Sequence, residues 1–255
     1  MDNDVIISYC VTVCNELEEL TRLLNFLQEH IDPNDQILVQ YDEGGVTGEV
    51  KDYLNIVSTL HENHKVVGFP LNNHFANFKN NLKKHADGIF LYSIDADELP
   101  HTYMLQNMRN IIELNNDVDL FFIPRINTVD GVESKHVKKY GWKISKIKTE
   151  IGEKEIDANS EEYKFLQDGG FIIEEASTKV GLTKVKYYKP IINFPDVQTR
   201  LYRKTAEIRW EGKVHEVITG YKNIAVFPYE TEYCLYHPKK IDKQEKQNAY
   251  YETLM

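Results

Sequence analysis

Two aspartates one residue apart, Asp95 and Asp97, follow the apolar run Phe90-Leu91-Tyr92-Ser93-Ile94 and are followed at once by Glu98. In an extended segment alternate side chains share a face, so Asp95 and Asp97 are expected to project together from the mouth of a strand over Ile89 to Ile94. Two carboxylates held side by side repel each other unless a cation joins them. Mg²⁺ and Mn²⁺ take oxygen ligands and keep open positions for phosphate oxygens, which suits such a pair. An ion of that kind acts as a Lewis acid and neutralises a leaving diphosphate as charge develops on it. The bland alternative is that Asp97 and Glu98 only favour the N-terminus of a helix beginning near Pro100.

The elements that would position this pair read as alternating strands and helices. Val5 to Val13 is β-rich, and Asn15-Glu16 opens a helical pattern with Leu17, Leu20, Leu24 and Leu27 at three- and four-residue spacing. Pro33-Asn34-Asp35 turns the chain into a short strand, Ile37 to Tyr41, that stops at Asp42-Glu43-Gly44-Gly45. A helix over Val50 to Asn63, a strand over Lys65 to Phe69 and a helix over Ala76 to Ala86 lead into the strand bearing the aspartates; a helix over Tyr103 to Leu114 and a strand over Val118 to Ile123 follow. This alternation predicts a parallel sheet covered by helices on both faces. Ligands of such sheets bind at the carboxyl ends of the strands, so the loops after Val13, Tyr41 and Ile94 are expected to line one crevice. Beyond them the character changes. Asn127 to Lys189 is dense in Lys and Glu and reads as an insertion or a subdomain of hairpins; aromatic and β-branched residues return from Ile191 through Tyr236, and a polar helix is expected over Ile241 to Leu254.

In their order and spacing these motifs resemble the GT-A fold of family 2 glycosyltransferases over about residues 5 to 125. The carrying segments are Cys14-Asn15-Glu16 after the first strand, Asp42 after the second, Phe75-Ala76-Asn77-Phe78-Lys79-Asn80 on a helix, and the Asp95-Ala96-Asp97 element. The chain departs from the family's frequent Asp-Asp-Gly-Ser-Thr-Asp in reading Asp42-Glu43-Gly44-Gly45-Val46-Thr47-Gly48. The resemblance implies an α/β, Rossmann-like GT-A fold with a β-rich insertion and a C-terminal helix. Its parts would be a nucleotide-sugar-binding core at 1–125, an acceptor-side insertion at 126–190, and the rest of the fold with the tail helix at 191–255. It also implies a nucleoside diphosphate sugar donor contacted by Asn15, Glu16, Asp42, Lys79 and Asp95, with Mn²⁺ or Mg²⁺ held by Asp95 and Asp97. For Asp42 the alternative is a turn carboxylate, and for Lys79 a solvated helix lysine.

Downstream, Gln198-Thr199-Arg200-Leu201-Tyr202-Arg203 and Gly212-Lys213-Val214-His215-Glu216 look like segments of a bacterial subgroup of family 2 that includes lipopolysaccharide-core transferases. Carried over by position, His215 becomes a third metal ligand or diphosphate contact. Glu216 becomes the general base beside a catalytic Asp97, with Asp196 and Asp168 as weaker candidates. The alternatives are a half-buried strand histidine and an exposed strand carboxylate. Arg200 and Arg203 are out of phase on a strand, so one of them at most faces the site. His237 reads as a further pyrophosphate or metal contact, or as a surface histidine before Pro238. Trp142 and Trp210 read as sugar-stacking rings or as core.

Composition bounds the remainder. With 42% hydrophobic residues the chain has ample core material, and a net charge of -10 gives no general footprint for nucleic acid or anionic lipid, although a local basic groove is compatible with it. The start Met1-Asp2-Asn3-Asp4 lacks the features of a signal peptide, no apolar run approaches a membrane span, and three cysteines without a CxxC pair suit a reducing compartment. A cytoplasmic enzyme is therefore expected, Cys10 being core. The expected acceptor is a saccharide, a lipid-linked glycan or another hydroxyl compound, and charge alone does not bar a nucleic-acid acceptor. A nucleotidyltransferase would share the paired carboxylates but wants a Gly-rich, basic loop where Val13-Cys14-Asn15-Glu16-Leu17 stands. An inactive sugar-nucleotide or glycan-binding protein would keep the fold without needing Asp95, Asp97, His215 and Glu216 intact.

Overall fold

A computed structural model of the chain describes residues 6–252. Met1 to Asp4, the Val5 start of the first expected strand and the Leu254 end of the tail helix lie outside the described residues. The elements run β1 (Ile7–Val13), α1 (Leu17–His30), β2 (Gln36–Asp42), α2 (Gly48–Leu60), β3 (His64–Phe69), α3 (Phe75–His85), β4 (Phe90–Asp95), β5 (Leu99–Pro100), α4 (Thr102–Leu114) and β6 (Leu120–Asp130). They continue with α5 (Ser134–Tyr140), β7 (Ile151–Asp157), α6 (Glu161–Asp168), β8 (Ile172–Lys179), β9 (Leu182–Tyr188) and β10 (Ile191–Arg203). Last come β11 (Arg209–Glu211), β12 (Val217–Thr219), β13 (Ile224–Val226), β14 (Leu235–Lys240) and α7 (Ile241–Glu252).

The chain divides into two units. One holds the described residues through Pro124 together with Val197–Leu235, and the other holds Arg125–Asp196 and the described residues from Tyr236 onward. In the first unit the strand order is β3-β2-β1-β4-β10-β6, with β13 beside β6. Pairs β2·β3, β1·β2, β1·β4 and β6·β13 are parallel, and the end of β10 lies antiparallel to β4. β1 is buried at every position but half-buried Thr12, as a strand covered on both faces must be. The helices meet the sheet through apolar stripes at helical spacing: Leu20, Leu23, Leu24 and Leu27 on α1, and Met104, Leu105, Met108 and Ile112 on α4. The expected α/β sheet with flanking helices is therefore the one found. Cys10, 2% exposed, packs in it as core.

The expected boundaries hold to within a few residues through α4 and then fail. β6 does not stop at Ile123 but runs to Asp130. The segment read as hairpins does hold an antiparallel sheet, β7-β9-β8, yet two helices unforeseen in the sequence flank it. Helix α6 is short but locally specified, since Ser160 Oγ caps it by accepting from the Tyr163 N–H at 3.1 Å. Helix α5 ends where Gly141 takes the left-handed conformation at φ 65°. Among the described residues no helix is long and apolar enough to cross a membrane.

Candidate functional site

The strand order 3-2-1-4 makes β1 the point at which the chain, having laid strands outward on one side, places the next one on the other. Loops diverge at such a switch point and leave a crevice at the carboxyl ends of the strands. Register brings the ends level: Val13 pairs with Tyr41, and Thr12 pairs with Asp95. Across the switch the Thr12 hydroxyl donates to Asp95 Oδ1 at 2.9 Å.

Asp95 closes β4, and Ala96-Asp97 forms a turn rather than continuing the strand. The Glu98 N–H donates to the Asp95 carbonyl at 2.9 Å and the Asp95 N–H to Glu98 Oε2 at 3.0 Å. Strand alternation therefore does not extend to Asp97, which lies in a tight turn that Glu98 ties back to Asp95 in both directions. Glu98 itself is fully buried and ion-paired with Arg200, whose Nη2 also reaches Asp95 Oδ2 at 3.0 Å. The capping alternative falls for Glu98, because α4 starts at Thr102 and its N-terminus is capped by His101. Burial by itself would raise the Asp95 pKa, but the Arg200 guanidinium, the Lys79 ammonium and the Thr12 hydroxyl outweigh it and hold the carboxyl well below the usual carboxylate range. Of the two arginines only Arg200 meets these carboxylates. Arg203 donates to the carbonyls of Asn116 and Val118 at 2.6 and 3.1 Å and serves the scaffold.

The loops after β1 and β2 are tied to themselves and to each other. Glu16 Oε2 accepts from the N–H groups of Cys14 and Asn15, both at 3.0 Å, which shapes the loop and leaves the Asn15 side chain exposed. Asp42 Oδ1 accepts from Gly44 N–H at 3.1 Å and from Leu71 N–H at 2.9 Å, the self-bonding habit of a turn aspartate. A Cβ on Gly45 would meet Cys14 Sγ at 2.5 Å, so glycine lets the two loops close on one another. Burial, then Glu16 and Asp42, raise the Cys14 pKa and keep the thiol protonated.

Lys79 is not the solvated lysine of the alternative reading. It is 7% exposed, ion-paired with Glu216 at 2.7 Å and set 4.5 Å from the Trp210 ring centre. Asn80 grips the Trp210 backbone from both sides, donating to its carbonyl at 2.8 Å and accepting from its N–H at 2.9 Å. Trp210 is core, 4% exposed, with Nε1 donating to the Tyr202 hydroxyl at 3.1 Å. The segment after β11 crosses the start of α3, where Phe75 and Ala76 N–H donate to the carbonyls of Lys213 and Gly212 at 2.9 and 3.3 Å. His215 in that segment is exposed and left-handed at φ 53°, so it is not the half-buried strand histidine of the alternative. Glu216 likewise lies outside a strand, half-buried against Lys79.

A divalent ion in a nucleotide site uses one or two carboxylates alongside substrate phosphates. The Asp95–Asp97 turn offers that number, and the Asp95 side chain remains 37% exposed. Among the described residues no group of three or more His, Cys, Asp or Glu side chains is placed to hold a metal ion.

The other sequence candidates sit in the second unit. Asp196 Oδ2 accepts from Arg125 Nε at 2.9 Å and Asn127 Nδ2 at 2.8 Å, while Asn127 Oδ1 meets His237 Nδ1 at 2.8 Å. His237 is 6% exposed, so it is no surface histidine. Trp142 stacks on Tyr140 at 4.9 Å and packs with Val129, Val132 and Ile192. Asp168 is exposed. Thr12 and Glu98 are the participants that sequence reasoning missed. For Glu98 a signal existed: a third acid directly after an apolar strand must either reach water or find a buried cation, and Arg200 was available in β10.

Residues 8–172 match the family described as glycosyl transferase family 2. The chain belongs to glycosyl transferase family 2. Membership places it among sugar-transferring enzymes, and the matched span includes Asn15, Glu16, Asp42, Lys79, Asp95 and Asp97 but ends before Arg200, His215 and Glu216. Among solved structures it is similar to S. aureus TarS 1–349, with a TM-score of 0.53 at 16% identity over 92% of this chain and 60% of that one. The complex of the same TarS piece with UDP-GlcNAc gives 0.56 at 17% identity over 92% and 59%, and the TarS structure that extends beyond it gives 0.55 at 16% over 92% and 37%. At such identities the likeness is one of fold, and this family 2 chain spans about 60% of the length of TarS 1–349. No curated protein matches it.

Proposed function

We propose that this family 2 chain transfers a sugar from a nucleoside diphosphate sugar to an acceptor hydroxyl, with metal assistance and inversion at the anomeric carbon. The observation that carries the reading is the Asp95-Ala96-Asp97 turn, set at the sheet's switch point and clamped from beneath by Arg200 and Glu98. Since TarS has been crystallised with UDP-GlcNAc, a uridine diphosphate sugar is the first donor class to test.

The base and ribose of the donor would lie along the loops of Asn15 and Asp42, with the diphosphate toward Asp95 and Asp97. Those two carboxylates would hold Mg²⁺ or Mn²⁺, which supplies Lewis-acid neutralisation of the leaving diphosphate. Arg200 and Thr12 keep Asp95 ionised and oriented, so no reorganisation is needed when the donor arrives. Lys79 is ion-paired with the Glu216 carboxylate, and its charge also helps keep Asp95 ionised. A donor phosphate that draws Lys79 toward itself leaves Glu216 to accept the acceptor's proton. The acceptor oxygen bonds to the anomeric carbon, the bond from that carbon to the diphosphate oxygen breaks, and its electron pair leaves with the diphosphate. The division into a donor core at 1–125, an acceptor-side insertion at 126–190 and a closing segment at 191–255 belongs to the same proposal.

The test is thermal stabilisation by nucleoside diphosphates and their sugars with and without Mn²⁺. UDP or another nucleoside diphosphate is expected to raise Tm more with Mn²⁺ than without it. If no nucleotide raises Tm the reading fails, and if Asp97→Asn keeps the Mn²⁺-dependent part the metal assignment fails.

A further inference from the structure

The second unit carries a concentration of positive charge that the donor chemistry does not use. From Ser134 to Lys148 the sequence holds Lys135, Lys138, Lys139, Lys143, Lys146 and Lys148 with no Asp or Glu, in a chain whose net charge is -10. Lys135 and Lys139 spend their charge on Glu133 and Glu245. Among the described residues, the ammonium groups of Lys138, Lys143 and Lys146 have no hydrogen bond or ion pair. Exposed ammonium groups without partners add little to folding stability and leave a local positive field that an anion in solution can use.

This run borders a cleft of about 430 Å³ inside the second unit, the size of a small-molecule site. Its wall is apolar, formed by Ile144, Phe165 and Phe171, and the two phenyl rings stack with centroids 5.9 Å apart and planes 24° apart. Ser145, Lys146 and Lys148 supply polar groups to the same lining. Lys148 is anchored there, donating to the Gly170 carbonyl at 2.6 Å and lying 5.3 Å from the Tyr188 ring centre. Asp168 is the lining's carboxylate, against two ammonium groups. An apolar wall by itself would suit any hydrophobe, and lysines by themselves any polyanion. An aromatic wall matches the apolar face of a pyranose, a hydroxyl matches its ring substituents, and ammonium groups match carboxylate or phosphate upon it.

We propose that the cleft binds an acidic saccharide, one bearing carboxylate or phosphate groups, and that this is the acceptor class of the enzyme; the second clause rests on the function proposed above. Calorimetry on the whole chain tests it with tetragalacturonate as the carboxylated probe, trehalose 6-phosphate as the phosphorylated one, and cellotetraose as the neutral control. At least one acidic probe is expected to bind about tenfold or more tighter than cellotetraose, with affinity falling as salt rises. Lys146→Glu, at an exposed side chain without a partner, and Lys146→Glu/Lys148→Glu are expected to weaken that binding while leaving the UDP-induced Tm shift unchanged. Phe165→Leu is expected to weaken the saccharide but not inorganic tripolyphosphate. Equal binding of cellotetraose, failure of both acidic probes, or indifference to both charge reversals overturns the proposal. So does tripolyphosphate or a decathymidylate binding as tightly as the acidic sugar, which would make the cleft a general polyanion site. Acidic-sugar binding without any nucleotide-induced Tm shift would leave the cleft's ligand standing and remove its role as an acceptor site.

Discussion

At the strand ends of the first unit, the carboxylates of Asp95, Glu98 and Glu216 are ion-paired with the buried cations Arg200 and Lys79; in the second, the exposed ammonium groups of Lys138, Lys143 and Lys146 have no partner among the described residues. The first arrangement is expensive to assemble, because each buried charge loses hydration and regains it only through its counter-ion. That cost is the source of its precision: a carboxylate paired below by Arg200 and bridged by Thr12 has one place to be. The second arrangement costs little to fold, and what it holds, it holds loosely and against screening by salt. A reacting diphosphate wants the former, and a ligand of variable length is served by the latter.

The comparison can be broken most severely at its buried end. Arg200→Leu is expected to destabilise the chain by about 3–5 kcal/mol in denaturant titration, because it leaves fully buried Glu98 without its cation. If stability holds, Glu98 is reaching water by another route and the clamp is not rigid. Asp97→Asn is expected to lower kcat with a uridine diphosphate sugar by roughly 10²–10³, about 3–4 kcal/mol in the barrier, with little change in Tm without nucleotide. Equal losses in both would make Asp97 a structural residue.

Protonation offers a third handle on the same unit. His64 is 7% exposed, donates from Nε2 to Gln28 Oε1 at 2.8 Å, and has its pKa pushed down to about 4 by burial and by His61. The unfolded chain then binds a proton more readily than the folded one. Stability is full above the unfolded pKa of about 6.5 and declines as pH falls toward 4, by on the order of 3 kcal/mol. Denaturation midpoints measured over that interval should lose most of this slope in His64→Gln. Gly45→Ala, which drives a methyl against Cys14 Sγ, is expected to cost about 1–3 kcal/mol and to weaken nucleotide-induced stabilisation. Smallest of all, Lys138→Ala and Lys143→Ala in the second unit should change stability by less than about 0.5 kcal/mol. A larger loss there would mean that these lysines serve the fold.

Much of the first unit was legible because its signals are local. The change from strand to helical periodicity at Val13, the turn residues Pro33-Asn34-Asp35 and the stop at Asp42 each reflect one segment's own sterics and solvation. Their spacing sufficed to bring Asn15, Asp42 and Asp95 to one edge of a parallel sheet. The helices α5 and α6 escaped because they are only 7 and 8 residues long, too short for a periodic stripe to stand out from charged neighbours. The extension of β6 past Ile123 escaped because a strand's length is decided by its partners in the sheet rather than by its own propensity.

What the sequence by itself determined is the order of elements in the first unit and the acids at the ends of its strands, since backbone preference and apolar periodicity act over a few residues. Only the tertiary structure decided how those acids are used. Arg200 lies more than a hundred residues from Glu98 and Asp95, and Glu216 still further from Lys79, so no local rule links them. Burial does: a charge carried into the interior takes as its partner whichever opposite charge the fold brings within reach, and that choice is made across the sheet, not along the chain.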